Sequence, residues 1–208
     1  MTTAQCTTMS DEVVALEKQI GELKQKLSEA RRRAPAQPIK NYTLKTLGGR
    51  DIELADLFAG KRDLVLIHNM GKGCVYCTLW ADGFIGFAQH LKDRAGFVLV
   101  TPDEPATAAQ FARDRGWNYP IASSHGTSFK RDMGFEPKPG ETWPGVQAFR
   151  KDDDGTIRCV GKAHFGPGDD FCAIWHLFDL LEGGAGDWQP KYTYKQQGGC
   201  GCGGCGCH

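Results

Sequence analysis

The segment from Leu64 to Leu91 constrains the fold more than any other part of this chain. It begins with the apolar run Leu64-Val-Leu-Ile-His, which is short enough to be a buried β-strand. A glycine-rich turn, Gly71-Lys-Gly73, leads directly into a Cys74-x-x-Cys77 motif, and the apolar residues that follow recur at helical spacing. A strand that passes through a tight turn into an amphipathic helix predicts an α/β protein with both cysteines at the start of the helix.

Further strands and helices alternate along most of the chain. Strands are expected at 42–46, 50–54, 64–68, 97–100, 119–122, 146–149 and 156–160, and helices at 11–33, between Cys77 and Leu91, at 106–115, at 127–133 and at 169–181. The order β-α-β-α, followed by a β-hairpin and a helix, predicts an α/β sandwich with a mixed central sheet. We expect an N-terminal helical arm at 1–38, a folded domain at 39–183, and a linker with a Cys-rich tail at 184–208.

The N-terminal arm carries an apolar stripe on one helical face. Its members recur at alternating three- and four-residue steps: Val13, Leu16, Ile20, Leu23, Leu27 and Ala30. Ser10 or Asp11 can cap the start of the helix, and the arginines at 31–33 suit the negative end of the helix dipole. The stripe predicts an arm that packs either on its own domain or on a second copy of the chain, which would make a homodimer.

The two cysteines of the motif have the placement of a reactive dithiol. Cys74 lies where the helix begins, with Lys72 close by in sequence, and both the helix dipole and a nearby cation favour thiolate over thiol. Cys77 follows about one helical turn later, near enough to attack a mixed disulfide formed at Cys74. Asp82, farther along the same helix, is either a proton acceptor for Cys77 or a surface residue. His68 is expected to be a buried core histidine.

Composition and charge exclude some classes of function. Basic residues (Lys plus Arg) and acidic residues (Asp plus Glu) number 25 each, so no excess of cations is present to replace the counterions of a nucleic acid. No apolar run approaches the ~20 residues that span a bilayer, and the first residues lack the segments of a secretion signal. We therefore expect a cytoplasmic protein with no nucleic-acid or membrane partner. In that compartment, nine cysteines favour catalytic thiols or metal ligands over structural disulfides.

The tail concentrates sulfur in a stretch of glycine and cysteine that ends in histidine. Its candidate metal ligands are Cys200, Cys202, Cys205, Cys207 and His208. Soft thiolates select copper(I), zinc(II) or an iron–sulfur cluster, and the Cys-x-Cys spacing favours copper(I) over zinc(II). The tail has no apolar residue to bury, so we expect a disordered segment. It could swing to Cys74 and Cys77 and share a metal with them.

Several stretches also carry a family resemblance. They are the Leu/Lys/Glu/Arg-rich leading helix, Leu57-Phe-Ala-Gly-Lys-Arg, Gly73-Cys-Val-Tyr-Cys-Thr-Leu-Trp-Ala-Asp-Gly-Phe, Arg115-Gly-Trp, Ser123-Ser124 and Asp132-Met-Gly-Phe. In these stretches, residues 11–182 resemble a bacterial thioredoxin-like family known as domain of unknown function 899. The resemblance implies a thioredoxin-like sandwich of the peroxiredoxin-like branch. It also implies that Cys74 and Cys77 are the two cysteines that match the family's pattern. The Cys-rich tail departs from the usual family pattern.

Pro144 is the candidate for the cis-proline that thioredoxin-like folds carry just before a strand. It precedes the strand that contains Val146, and Phe149 matches the apolar residue expected five positions after the proline. We expect a cis peptide bond before Pro144. Its backbone would then lie beside the dithiol, where it can pair with an extended segment of a substrate.

These features lead to three hypotheses, and peroxidase chemistry is not among them. Peroxiredoxins place Pro-x-x-x-Thr/Ser-x-x-Cys around the reactive cysteine, whereas Asn69-Met-Gly-Lys-Gly73 has neither the threonine nor a matching proline. The first hypothesis is a thioredoxin-like protein that binds a soft metal, copper(I) ahead of zinc, and keeps a redox-capable C-x-x-C. The second is a thiol–disulfide oxidoreductase that acts on a protein partner without a metal role. The third is zinc binding or storage without catalysis, and no organic cofactor is expected in any of the three.

Overall fold

The computed structural model describes residues 9–194, which form an α/β sandwich with one mixed sheet. The strands are β1 (Gln37–Ile39), β2 (Thr43–Thr46), β3 (Asp51–Glu53), β4 (Asp63–His68), β5 (Gly96–Thr101), β6 (Ile121–Ser123), β7 (Gly145–Lys151) and β8 (Ile157–His164). The helices are α1 (Asp11–Arg33), α2 (Val75–Phe84), α3 (Ala88–Arg94), α4 (Pro105–Arg115), α5 (Phe129–Asp132) and α6 (Ala173–Phe178), with a 3₁₀ helix at Leu54–Phe58. This architecture confirms the predicted fold class.

The sheet has the strand order β1-β8-β7-β4-β5-β6-β2-β3. Strand β4 lies near its centre and pairs in parallel with β5 and antiparallel with β7. The β5–β6 pair is also parallel, and the remaining pairs are antiparallel. Because β4 is covered on both edges by partners, the loop that leaves its last residue, His68, starts from a rigid position.

Alternate residues of the central strands supply two separate apolar cores. Leu64 and Leu66 of β4 face a core with the 3₁₀ helix and α5, whereas Ile67 faces a second core with α2 and α6. The second core is rich in large aromatic side chains, including Trp80 of α2 and Trp175 of α6. Burial on both faces explains why β4 is an almost unbroken apolar run in the sequence.

The helix predicted from Cys77 to Leu91 is instead two helices, α2 and α3. The helical hydrogen bonds tighten to three-residue spacing where α2 ends, from Ile85 N to Asp82 O and from Phe87 N to Phe84 O. Two glycines in this stretch lower its helical propensity. The spacing of the apolar residues does not reveal this break between α2 and α3.

The last predicted helix, 169–181, is shorter in the structure. The carboxylate of Asp169 accepts hydrogen bonds from the backbone N–H groups of Gly166, Phe171 and Cys172, which holds this stretch in a turn. The helix α6 therefore begins only at Ala173. None of the helices between residues 9 and 194 combines the length and the apolar character that are needed to cross a membrane.

Both ends of the domain differ in detail from the expected boundaries. Residues 37–39, at the end of the predicted arm, form β1 and pair with β8. At the other end, Trp188 packs against Phe178 and Trp175, with ring centroids 4.8 Å and 6.2 Å apart. The first part of the predicted linker is therefore packed on the domain.

Candidate thiol site

The dithiol lies at the start of α2, immediately after the loop that leaves β4. Cys74 is the N-cap residue of α2, and its sulfur accepts a hydrogen bond from the backbone N–H of Cys77 at 3.1 Å. Cys74 is partly exposed, whereas Cys77 is 2% exposed. Both are free thiols in the structure. One sulfur is thus open to a partner, and the other lies behind it.

The surroundings of the two sulfurs push their pKa values in opposite directions. A hydrogen bond from the Cys77 thiol is the largest effect on Cys74; with the backbone N–H groups of Cys77 and Tyr76, it lowers the pKa of Cys74 to about 6, against partial burial. The same interaction with Cys74, followed by burial, raises the pKa of Cys77 far above its ordinary value. At neutral pH the site therefore holds an accessible thiolate next to a buried thiol.

The loop before Cys74 is held by a partly buried carboxylate. Asp103 accepts hydrogen bonds from the backbone N–H of Lys72 and from the hydroxyl of Thr101, both at 2.8 Å. Gly71 has a φ of +100°, and a Cβ built there would lie 2.9 Å from Asp103 Oδ1. Only glycine meets both conditions. Gly71 occupies the position three residues before Cys74 where peroxiredoxins carry threonine, and a threonine there would have to adopt a positive φ and displace the Asp103 carboxylate.

Lys72, expected to be a cation beside Cys74, contributes its backbone to the site. Its N–H donates to Asp103, and its carbonyl oxygen accepts a hydrogen bond from the Tyr192 hydroxyl at 2.9 Å. The Lys72 side chain lines a shallow depression against α4, together with Thr107 and Gln110. The thiolate at Cys74 is thus stabilised by the Cys77 thiol and by the backbone N–H groups at the start of α2, and not by this ammonium group.

Lys130 of α5 lies beneath the dithiol, a position that no sequence pattern indicates. It is 3% exposed, and its Nζ donates to the Asn69 carbonyl at 2.5 Å. Asn69 in turn donates from Nδ2 to the Cys77 carbonyl at 3.5 Å, and the Met70 N–H lies 3.4 Å from Cys77 Sγ. Burial lowers the pKa of Lys130 to about 8, although the nearby Cys77 favours its charged form. A buried amine of this kind can stabilise a negative charge on Cys77 when it is protonated, or accept the Cys77 proton when it is neutral.

His68 is a core histidine, as expected. Its Nε2 lies 2.8 Å from Gln147 Oε1, and its ring stacks on Phe135 at a centroid distance of 3.9 Å. Burial, followed by the charge of Lys130, lowers its pKa well below the ordinary value, so the ring is neutral. Its Nδ1 is a buried atom with no hydrogen-bond partner in the described part of the chain.

Asp82 does not serve Cys77. Its carboxylate accepts hydrogen bonds from the Arg115 guanidinium and from Trp117 Nε1, the latter at 2.8 Å. The proton-acceptor alternative is therefore wrong, because both oxygens are taken by donors from the segment that ends α4. Arg115 and Trp117 belong to the Arg-Gly-Trp stretch that the sequence singled out, which gives that stretch a structural role.

The expectation of a cis bond before Pro144 is also wrong, since no described peptide bond is cis. The trans form is the intrinsically favoured one, and here the Pro144 carbonyl accepts a hydrogen bond from Phe165 N at 3.0 Å, which extends the β7–β8 pairing. Gly145, the next residue, pairs with His68. Pro144 therefore lies at the edge of the sheet where β4 ends, the same edge from which the loop to Cys74 departs.

The C-terminal segment returns to the dithiol. Besides the bond from Tyr192 to Lys72, the Arg115 guanidinium donates to the Tyr192 carbonyl at 2.7 Å. Burial raises the pKa of Tyr192, and the charges of Cys74 and Cys77 raise it further because both sulfurs lie near the Tyr192 hydroxyl. The chain is thus attached beside the dithiol only a few residues before the cysteine-rich tail.

The predicted tail ligands lie outside the described residues: Cys200, Cys202, Cys205, Cys207 and His208. Within residues 9–194, no group of three or more His, Cys, Asp or Glu side chains is arranged to hold a metal ion. Cys159 and Cys172 lie away from one another on β8 and before α6, and burial raises the pKa of each. Cys74 and Cys77 are therefore the described cysteines suited to thiol chemistry.

Comparisons with known proteins agree with this fold. The chain is 26% identical over 127 residues to the chloroplastic peroxiredoxin Q of Gentiana triflora, a match that covers 61% of this chain and 58% of that relative. It is also similar to the crystal structure of reduced Prx3 in complex with H₂O₂ from Vibrio vulnificus, with a TM-score of 0.51, 18% identity and coverage of 65% and 90% of the two chains. A mutant of PrxQ from Xylella fastidiosa gives a TM-score of 0.53 at 13% identity, covering 63% of this chain and 85% of that one.

The solved structures show that the fold is the thioredoxin-like one found in peroxiredoxins. The chain spans a little over half, 58%, of the length of the curated relative. A family model described as "Bacterial protein of unknown function (DUF899)" matches residues 1–197, nearly the whole chain. The chain therefore belongs to the DUF899 family of bacterial proteins, as its sequence motifs indicate.

Proposed function

We propose that the protein is a thiol–disulfide oxidoreductase that acts on a disulfide-containing protein partner. The observation that carries this proposal is the asymmetric dithiol: Cys74 is accessible with a pKa of about 6, and Cys77 lies buried one turn behind it with its thiol proton retained. An exposed thiolate attacks a disulfide, and a protected second thiol completes the exchange.

The exchange takes place in two steps. The Cys74 thiolate attacks one sulfur of the substrate disulfide, whose S–S bond breaks; one substrate sulfur leaves as a thiolate and takes up a proton from water. Cys77 then loses its proton, attacks Cys74 Sγ and releases the second substrate sulfur as a thiolate, which takes up that proton. The substrate gains two electrons and two protons, and the protein is left with a Cys74–Cys77 disulfide. A dithiol reductant resets it, and the same steps in reverse oxidise a substrate.

The neighbourhood of Cys77 supports the second step. Cys77 must become a thiolate within a buried site, which is costly without a nearby positive charge. Lys130 provides one, and it is held by the Asn69 carbonyl on the loop that contacts Cys77. We assign Lys130 the role of a positioning and electrostatic residue for this step.

Reduction of insulin disulfides, followed by turbidity with dithiothreitol as reductant, tests the proposal. We expect catalysis by the full chain, its loss in Cys74→Ser and, when dithiothreitol is left out, a trapped mixed disulfide in Cys77→Ser. The matched control is Cys159→Ser, which removes a partly buried cysteine outside the site and should retain activity. Equal activity of Cys74→Ser and the full chain would refute the proposal.

Peroxide consumption should be measured on the same samples. The curated relative is named a peroxiredoxin, but Gly71 stands where the peroxide-binding threonine would be. We expect slow, non-saturating peroxide consumption. Fast consumption that depends on Cys74 would replace the disulfide-exchange proposal with a peroxidase.

Soft-metal binding is the second candidate function, and the attachment of Tyr192 favours it. From Tyr192, bound at Lys72, to Cys200 is a span of eight residues, which reaches at most ~28 Å when extended. Four thiolates that follow so closely could capture copper(I) in preference to zinc(II), with Cys74 and Cys77 as further ligands. We place this chemistry in the cytoplasm, where thiols stay reduced. Zinc storage without redox activity is the remaining alternative.

Anaerobic copper(I) competition titration compares the full chain with a form that ends at Gly199. We expect the truncation to lower both stoichiometry and affinity, and Cys74→Ser to lower stoichiometry less. A parallel zinc titration separates the two metals. Unchanged copper(I) binding after truncation would refute a metal role for the tail without affecting the disulfide-exchange proposal.

A further inference from the structure

Helix α1 presents its apolar stripe to solvent. None of its residues is buried, and the large members of the stripe are between 43% and 63% exposed: Val13, Leu16, Ile20, Leu23 and Leu27. Where α1 touches its own domain it uses residues off the stripe. Lys24 Nζ lies 2.6 Å from Asp170 Oδ1, and Arg31 borders a groove beside α6. The alternative in which the stripe packs on its own domain is therefore wrong.

The spacing of the stripe suits an antiparallel pair of α1 helices. Its steps along the sequence are three, four, three, four and three residues, which read the same in both directions. Two copies that run in opposite directions therefore bring every stripe residue opposite another one. The layers are Val13 with the partner's Ala30, Leu16 with the partner's Leu27, and Ile20 with the partner's Leu23, each occurring twice by symmetry.

The charges of α1 select the antiparallel direction. Residues 11–22 contain four acidic residues and one basic residue, whereas residues 23–33 contain five basic residues and one acidic residue. An antiparallel pair places the acidic half of each helix against the basic half of the other, while a parallel pair would align like charges.

We infer that the protein forms a two-fold homodimer in which the α1 helices of two copies pack antiparallel along this stripe. The interface is isologous, since each α1 contributes the same surface. The partner is a second copy of this chain, whose stripe supplies the complementary spacing and charge.

Sedimentation equilibrium of the full chain, from micromolar to submillimolar concentration, tests the association. We expect a reversible dimer of twice the 22.8 kDa chain and a monomer for Leu16→Glu combined with Leu23→Glu. The matched control is Leu180→Glu, at an exposed leucine outside α1, which should leave the dimer intact. Circular dichroism verifies that each variant keeps its fold, since all three positions are exposed. A monomeric full chain, or a dimer that survives both stripe substitutions, overturns the inference.

Charge reversal then tests the direction of the helices. We expect Glu12→Lys, Glu17→Lys and Glu22→Lys together to dissociate the dimer at low salt, because both halves of α1 become basic. Adding acidic residues to the second half should restore it: Lys26→Glu, Arg32→Glu and Arg33→Glu. In a parallel dimer the first set merely exchanges one like-charge repulsion for another. Retention of the dimer by the first triple variant therefore overturns the antiparallel arrangement.

Discussion

Replacing Lys130 with methionine should stabilise the fold while slowing the chemistry of Cys77. Lys130 is buried, and burial lowers its pKa from 10.5 to about 8. A difference of this size corresponds to about 3 kcal/mol of lost stability while the amine is charged. Methionine has a similar length and carries no charge. It leaves the Asn69 carbonyl without its donor, however, which costs ~1–2 kcal/mol. We expect a net gain of ~1–2 kcal/mol at pH 7.

The gain in stability from Lys130→Met should depend on pH. Below pH ~8 the lysine is protonated in both the folded and the unfolded chain, so its unfavourable contribution is complete. Between about pH 8 and pH 10.5 the unfolded chain binds more protons, and the contribution disappears as pH rises. The advantage of Lys130→Met should therefore be largest near pH 7 and vanish near pH 10.

Urea unfolding in reducing buffer at pH 7 and pH 10 measures the stability difference. Stopped-flow release of product from the Cys74 mixed disulfide measures the chemical step, which we expect to slow at least tenfold in Lys130→Met. A merely structural lysine would leave that rate and its pH profile unchanged. A variant that is less stable than the full chain at pH 7, or one whose stability difference from the full chain does not change with pH, would refute the reasoning.

Three further predictions concern the dithiol and its loop. Gly71→Ala should destabilise the fold by ~1–3 kcal/mol in urea, because alanine disfavours a φ of +100° and meets a carboxylate; an unchanged midpoint would contradict the loop geometry. Alkylation of Cys74 by iodoacetamide should follow a titration centred at about pH 6, and Cys77→Ala should move that midpoint upward, since the thiol hydrogen bond is lost; mass spectrometry of the modified peptide reports both. Tyr192→Phe removes one hydrogen bond and should increase proteolysis after residue 190 while changing global stability by less than ~1.5 kcal/mol; limited trypsin digestion checks it.

Local patterns were sufficient where one element determines the structure. The apolar run of β4, the glycine turn and the cysteines at the start of α2 are contiguous, so their spacing predicted the dithiol and its place in the fold. The capping of α1 by Ser10 was likewise readable, and the structure confirms it with a hydrogen bond from Val13 N to the Ser10 hydroxyl.

Contacts between distant segments were beyond the sequence patterns. Lys130 reaches the dithiol loop because α5 packs against the sheet, 61 residues along the chain from its acceptor Asn69. Nothing in a short Phe-Lys-Arg-Asp helix indicates which side chain is buried. Asp82 similarly found partners 33 and 35 residues away, Arg115 and Trp117, that spacing along α2 could not reveal. Topology rather than periodicity decides these neighbours.

The attachment of Tyr192 has a kinetic consequence. A group tethered a few residues beyond a fixed point experiences an effective concentration in the millimolar range at a nearby site, whatever the concentration of the protein. The hydroxyl of Tyr192 provides that fixed point at the loop before Cys74. Encounters between Cys74 and the sulfur atoms that follow in the same chain should therefore be independent of dilution, whereas encounters with a separate disulfide must compete with them.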